Sequence, residues 1–274
     1  MLRFQFAART YYNRAEVLDF FIWVVCVATF ITLLLPSGDT WDIITSFLAV
    51  VLDVIAAVLA WRLSVNTSRA ASMRAYFDSY VLDISSYSCS KSELTQLEEW
   101  ALDVTESPKS QYNVQKNHTG HDNPPGVRDW YEFAKDHDGL SAIYECQKQN
   151  FWWTEKLSRI RHIISFVLSI IVVLFLVIVA YVAFKEKDLW QILFSTAALF
   201  LKLYNRIFAH IRYGVLSREL LGATRVLENS LSLEAIQNLQ KLIDNRRKLP
   251  VLESNLIHKI KAKKLSDRYI KISR

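Results

Sequence analysis

A chain of 274 residues has room for one or two domains, and an apolar fraction of 51% is ordinary for a soluble protein. The distribution is not ordinary, because the apolar residues are gathered into long uncharged blocks that soluble cores rarely contain. Cys26, Cys89 and Cys146 share no metal-type spacing, and Cys26 sits inside an apolar block, which argues against a disulfide framework.

The first residues, Arg3 to Glu16, form a basic and aromatic lead-in (Phe4, Phe6, Tyr11, Tyr12) suited to the headgroup level of a bilayer. Val17–Leu35 and Ile43–Trp61 follow as apolar blocks joined by a turn signal at Pro36-Ser37-Gly38, with Trp41 and Trp61 bracketing the second. The first block is too long for a cleavable signal peptide and no small-x-small site follows it. From Arg62 the spacing predicts continued helix to about Ile84, then a helix over roughly Ser92–Val104. Thr105 to Gly126 is loop-like and ends in NPPG, and a third helix is expected from near Val127, with a break around Asp138-Gly139.

Ile163–Phe184 is a run without charge, long enough to cross a hydrocarbon core of roughly 30 Å. It continues without Gly or Pro from the polar and aromatic stretch that begins at Tyr144. Leu189–Ile211 is a weaker fourth block, interrupted by Lys202 and Arg206. Helices are expected over Tyr213–Asn229 and Ser232–Lys248, the latter capped by Ser232 and stopped by Pro250. The tail from Val251 carries seven bases against two acids, most of the chain's net +6. It suits either attraction to an anionic lipid or ligand, or a solvated helix face near the membrane.

Basic residues flank the blocks on one side, while the loops Ser37–Asp42 and Lys185–Asp188 carry no net positive charge. The positive-inside rule then places both termini and the middle region in the cytoplasm. The expected fold class is an all-α membrane protein, with four transmembrane helices arranged as two hairpins and a cytoplasmic helical domain. Its segments are 1–16 (N-terminal), 17–61 (first hairpin), 62–162 (cytoplasmic helical region), 163–211 (second hairpin) and 212–274 (C-terminal helices with the basic tail).

No Gly-rich phosphate loop, GxSxG, HExxH or CxxC occurs, so no catalytic residue is assigned and an enzyme is not expected. The HTGHD cluster (His118, His121, Asp122) lacks a third committed ligand, and a solvated loop is favoured over a metal there. Asp53 lies well inside the second span, where a carboxylate costs several kcal/mol unless it pairs, protonates or meets water. It shares a helical stripe with Ser46, Ala49, Ala56, Ala57 and Ala60; Gln191, Ser195, Ala198, Lys202 and Asn205 form a comparable stripe in the fourth span. Two readings stand: Asp53, Gln191, Ser195 and Lys202 line or gate an aqueous path in an oligomer, or the stripes pack helix on helix with Asp53 and Lys202 paired. In the soluble part, VRDWYEF and CQKQNFWW place Arg128, Trp130, Tyr131, Gln147, Asn150 and Trp153 near the membrane. That composition would suit a nucleotide, through stacking and phosphate contacts, but from composition alone helix packing with an interfacial Trp belt is the favoured reading.

Four blocks (AASMRAYFDSYVLDI, VRDWYEF, IYECQKQNFWWTEKLSRI and IQNLQKLIDNRRKLPVLESNLI), with the two-hairpin layout, resemble the SMODS-associated four-transmembrane effector family of bacterial antiphage systems. The matching positions are Phe77 and Asp78; Trp130 and Tyr131; Cys146, Gln147, Asn150 and Trp153; and Gln237, Arg246 and Pro250, with Thr154 standing where an acid is expected. The resemblance implies an inner-membrane effector, triggered by a cyclic oligonucleotide to oligomerise or open and to permeabilise the membrane in abortive infection. The implied partners are the lipid bilayer, further copies of the chain and a cyclic nucleotide second messenger, with no other cofactor and no DNA or RNA polymer. The competing class is a membrane-anchored sensor or scaffold whose cytoplasmic helices recruit a protein.

Overall fold

No glycine or proline interrupts Asp39–Val81, and in the computed structural model these 43 residues form one helix, α2, about 65 Å long. The structure describes every residue except 36–37, 85–86, 120–121, 123–125, 129–130, 132–137, 184–188 and 251–274; the side chains of several helical residues, among them Trp153 and Gln191, also lie outside the description. Three other helices are long: α1 (Leu2–Ile31, continued by a 3-10 turn over Thr32–Leu34), α5 (Gly139–Ala183), and α6 (Leu189–Asn229), which runs on through Gly214 and Gly222. Short helices α3 (Lys91–Thr105), α4 (Tyr112–Gln115) and α7 (Leu233–Arg247) complete the chain. Among the described residues there is no strand, only an isolated bridge between Thr119 and Arg128.

Each long helix has an apolar part and an extramembrane part. Leu2–Leu34, Thr40–Val81 and Ile192–Asn229 each hold a stretch long and apolar enough to cross a membrane, and α5 carries the fourth apolar segment, with Phe166–Val179 among its described residues. Phe20, Phe47, Val54, Leu174 and Phe200 project outward from this part, as lipid-facing side chains do, while Ile22, Cys26, Phe30, Ala56, Leu176, Leu199 and Leu203 form its interior. Ala49 and Ala56 of the second-span stripe are buried, so helix packing accounts for them, whereas Ala57 and Ala60 are exposed.

The extramembrane part has two cores. Phe4, Phe6, Ala7, Ala8 and Tyr11 of α1 pack against Ala70 and Met73 of α2 and Leu97, Ala101 and Val104 of α3. The N-terminal lead-in is therefore not an interfacial segment; it is the first half of α1, buried in this core because its aromatic side chains face α2 and α3. The second core joins Leu82 and Ile84 to Tyr144 and Phe151 of α5, Leu220 and Leu227 of α6, and Ile236, Leu239 and Ile243 of α7.

Local signals set the helix ends. Ser90 caps α3 through a reciprocal capping box with Glu93, so the helix begins at Lys91, one residue before Ser92. Ser232 accepts from the Ala235 amide and starts α7 where its sequence predicts; Arg246 and Arg247 close its last turn. Val127 and Arg128 are not helical: the backbone there is held by hydrogen bonds to an earlier segment, Val127 N–H to Gln115 O (3.0 Å) and Arg128 N–H to His118 O (3.0 Å), while most of the helix expected from here to Asp138 falls outside the described residues. The Pro36-Ser37 turn and the 185–188 loop lie outside the described residues.

Candidate functional site: a buried carboxylate network at the end of α2

Asp78 sits in the last turns of α2, fully buried, on the side facing α5 and α7. An unpaired carboxylate there would cost several kcal/mol, and the surrounding helices answer it with four donors. Tyr131 donates its hydroxyl to Oδ1 at 2.6 Å. Oδ2 accepts from Arg247 Nη1 at 2.7 Å, from Gln240 Nε2 at 3.2 Å and from Asn150 Nδ2 at 3.4 Å. The network extends outward. Gln240 and Arg247 both donate to Asp244 Oδ1 at 3.1 Å, and Gln147 Nε2 donates to Gln240 Oε1 and to the Ile236 carbonyl, each at 3.1 Å. Tyr12 of α1 donates to the Arg247 carbonyl (3.3 Å), and Arg74, one turn before Asp78, donates to Gln5 of α1.

The electrostatics follow from burial. Burial alone would pull the Arg247 guanidinium down, but Asp78 and Asp244 beside it outweigh that and hold it firmly charged. Burial pushes the Asp244 carboxyl up to about 6, with neighbouring Arg247 opposing and Asp78 reinforcing the shift. The Tyr131 hydroxyl is pushed well up by burial and by the Asp78 charge, so it stays a donor.

The structure thus brings together Tyr131, Gln147 and Asn150 of the six residues read as a ligand-binding set, with Gln147 buried and Tyr131 and Asn150 half-buried. Arg128 does not join them: it is exposed and belongs to the Thr119 turn. Trp130 and the Trp153 side chain lie outside the described residues. Three members had no signal of their own in the sequence. Gln240, Asp244 and Arg247 lie on α7 beside the motif positions Gln237 and Arg246; Gln237 is only half-buried, and Arg246 lies over the Phe151 ring at 5.5 Å.

The membrane residues are corrected as well. Lys202 does not pair with Asp53; it pairs with Asp19 of α1, which Arg206 also approaches at 3.6 Å. Asp19 opens the first apolar block, a place where a lone acid passes for an interfacial residue. Ser195 is buried and shares a hydrogen bond of 3.0 Å with Thr32, inside the bundle of a single chain. Asp53 is half-buried, and its Oδ1 has no hydrogen-bond partner among the described residues. The Gln191 side chain lies outside the described residues, as does His121. Asp122 accepts from the Thr119 amide (2.6 Å) and hydroxyl (3.0 Å), closing a turn.

Asp78 lies on a helix that runs unbroken into the membrane, Gln147 and Asn150 on a second such helix, and α7 clamps both. No curated protein and no solved structure matches the chain. Residues 1–212 match the family model described as the SMODS-associating 4TM effector domain, a span that takes in α1 through the apolar part of α6 and stops before α7. The chain therefore belongs to the SMODS-associating four-transmembrane effector family.

Proposed function

We propose that this protein is the membrane effector of a bacterial antiphage signalling system, switched by a cyclic oligonucleotide so that several copies assemble or open and permeabilise the inner membrane. Family membership supports the effector role. The observation that carries the coupling is the Asp78 network, which ties α7 to the extramembrane ends of α2 and α5 a few turns from where both helices enter the apolar layer. Both termini and the middle region lie on the cytoplasmic side in this reading, where the nucleotide is made.

Tyr131 and Asn150 are held by protein partners, and Gln147 by its amide nitrogen while its buried Oε1 has no hydrogen-bond partner among the described residues, so in this reading the nucleotide acts on the network by displacing its members. Arg128, exposed on the Thr119 turn, would meet phosphate. The membrane step needs several copies, because four spans enclose a wide path only when shared between chains, and it involves no catalytic step.

Dye or ion flux from liposomes carrying the purified protein, measured against a panel of cyclic di- and trinucleotides, tests this. Flux triggered by one nucleotide is expected. Flux without any nucleotide would keep the pore and discard direct gating, and no flux from inserted, folded protein would favour a membrane-anchored scaffold.

A further inference from the structure

On the other side of the same α2 turns, a groove of about 740 Å³ opens to solvent. Its walls include Tyr76, Ser79, Tyr80, Asp83, Tyr87 and Ser88. The floor is built: Tyr76 packs edge-on against Phe4 with ring centroids 5.3 Å apart, and Tyr87 is bonded to the Ser72 side chain. Asp83 is held at φ 50°, a left-handed conformation rare for an aspartate, in a turn closed by the Ser79 hydroxyl on the Ile84 carbonyl at 2.6 Å. Tyr80, by contrast, is 64% exposed outside the apolar layer, with a large aromatic face left in water.

The charged groups that act on the groove's tyrosines are acids. Asp83 lines it, Glu98 faces Tyr76, and Glu93 and Asp244 face Tyr87; burial and these acids together push both phenols up. Among the described residues no lysine or arginine lines it. Aromatic faces carry negative potential, and carboxylates at the rim add to it, so the groove repels phosphate and attracts a cation.

A cationic segment begins close by. Residues 251–274 carry seven bases against two acids. They follow α7, whose Arg247 is bonded to Asp78 and whose Ile243 shares a core with Ile84 of the groove. Lys259 stands nine positions after Pro250, an extended reach of roughly 30 Å, against a helix diameter of about 10–12 Å to be rounded.

We propose that the groove formed by Tyr76, Tyr80, Tyr87 and Asp83 receives a lysine or arginine side chain from residues 251–274 of the same chain. The docked segment then lies on the turns of α2 that carry Asp78. Anionic lipid competes for the same bases, so the segment has two alternative seats.

Tryptic cleavage within residues 251–274 of the full chain, timed by mass spectrometry in phosphatidylcholine nanodiscs, tests the docking. Combined Tyr80→Ala and Asp83→Asn substitution should speed cleavage there about tenfold while leaving cleavage at Lys91 unchanged, since proteolysis follows the population of the open form. Asparagine tolerates the left-handed turn and Tyr80 is exposed, so the variant keeps its fold, checked by an unchanged melting temperature. Equal cleavage rates would overturn the proposal, as would protection that needs phosphatidylglycerol and ignores the two substitutions. A p-benzoylphenylalanine in place of Tyr80 provides the second measurement: photolabelling of residues 251–274 is expected, and labelling only elsewhere, or of lipid, would overturn it.

Discussion

At Arg247 one guanidinium serves two buried carboxylates. Replacing it with Met leaves Asp78 and Asp244 facing each other without a counter-charge, a change expected to cost about 3–5 kcal/mol. Adding Asp78→Asn to that variant removes one of the stranded charges, so the double variant should regain part of the loss; thermal unfolding in detergent compares the three proteins. Asp244 makes the network pH-dependent. Its folded pKa of about 6 lies above the unfolded value near 3.9, so the folded chain holds this proton more tightly. The resulting stability is fully present below about pH 4 and is lost as pH rises through about 6. It amounts to on the order of 3 kcal/mol. Asp244→Asn should flatten this part of the profile, read as the difference between wild-type and variant melting temperatures from pH 4 to 7. The short motifs exposed Asp78, Tyr131, Gln147 and Asn150 to view, yet pointed to Arg246 instead of Arg247. A step of one residue turns a helix side chain by about 100°, and only the packing of α7 decides which neighbour faces inward.

Among the elements, α2 and α5 were legible because an absence of Gly and Pro over forty or more residues leaves nothing to stop them. The 105–128 segment was not, because its geometry rests on contacts between distant backbones. Gly126 shows this: a Cβ there would meet the His118 carbonyl oxygen at 1.8 Å, while its own amide donates to Thr119 O at 2.7 Å. Gly126→Ala should therefore lower stability by about 1–3 kcal/mol, measured by the same unfolding assay. Amide exchange in residues 111–119 should rise in that variant while α5 stays protected.

Across the whole molecule, the layout of two hairpins and a helical extramembrane region could be read from hydropathy, but the ion pairing inside the apolar layer could not. Lys202 and Asp19 are 183 residues apart, and no periodicity links them. Their pairing leaves Asp53 as the acid with an unmatched oxygen, on a helix that also carries Asp78. Asp53→Leu is expected to abolish nucleotide-triggered flux from liposomes while nucleotide binding to the same protein is unchanged. Flux equal to wild type would remove Asp53 from the membrane step.

The packing of α1 against α3 also sets an order of events during synthesis. Phe4, Phe6 and Tyr11 leave the ribosome first, but the partners that bury them, Leu97, Ala101 and Val104, are made some ninety residues later. At roughly 5–20 residues per second the wait lasts on the order of 5–20 s. Ala70 and Met73 of α2 arrive before α3 does, so the aromatic turns of α1 pack first on α2 alone, and α3 completes this core once it is made.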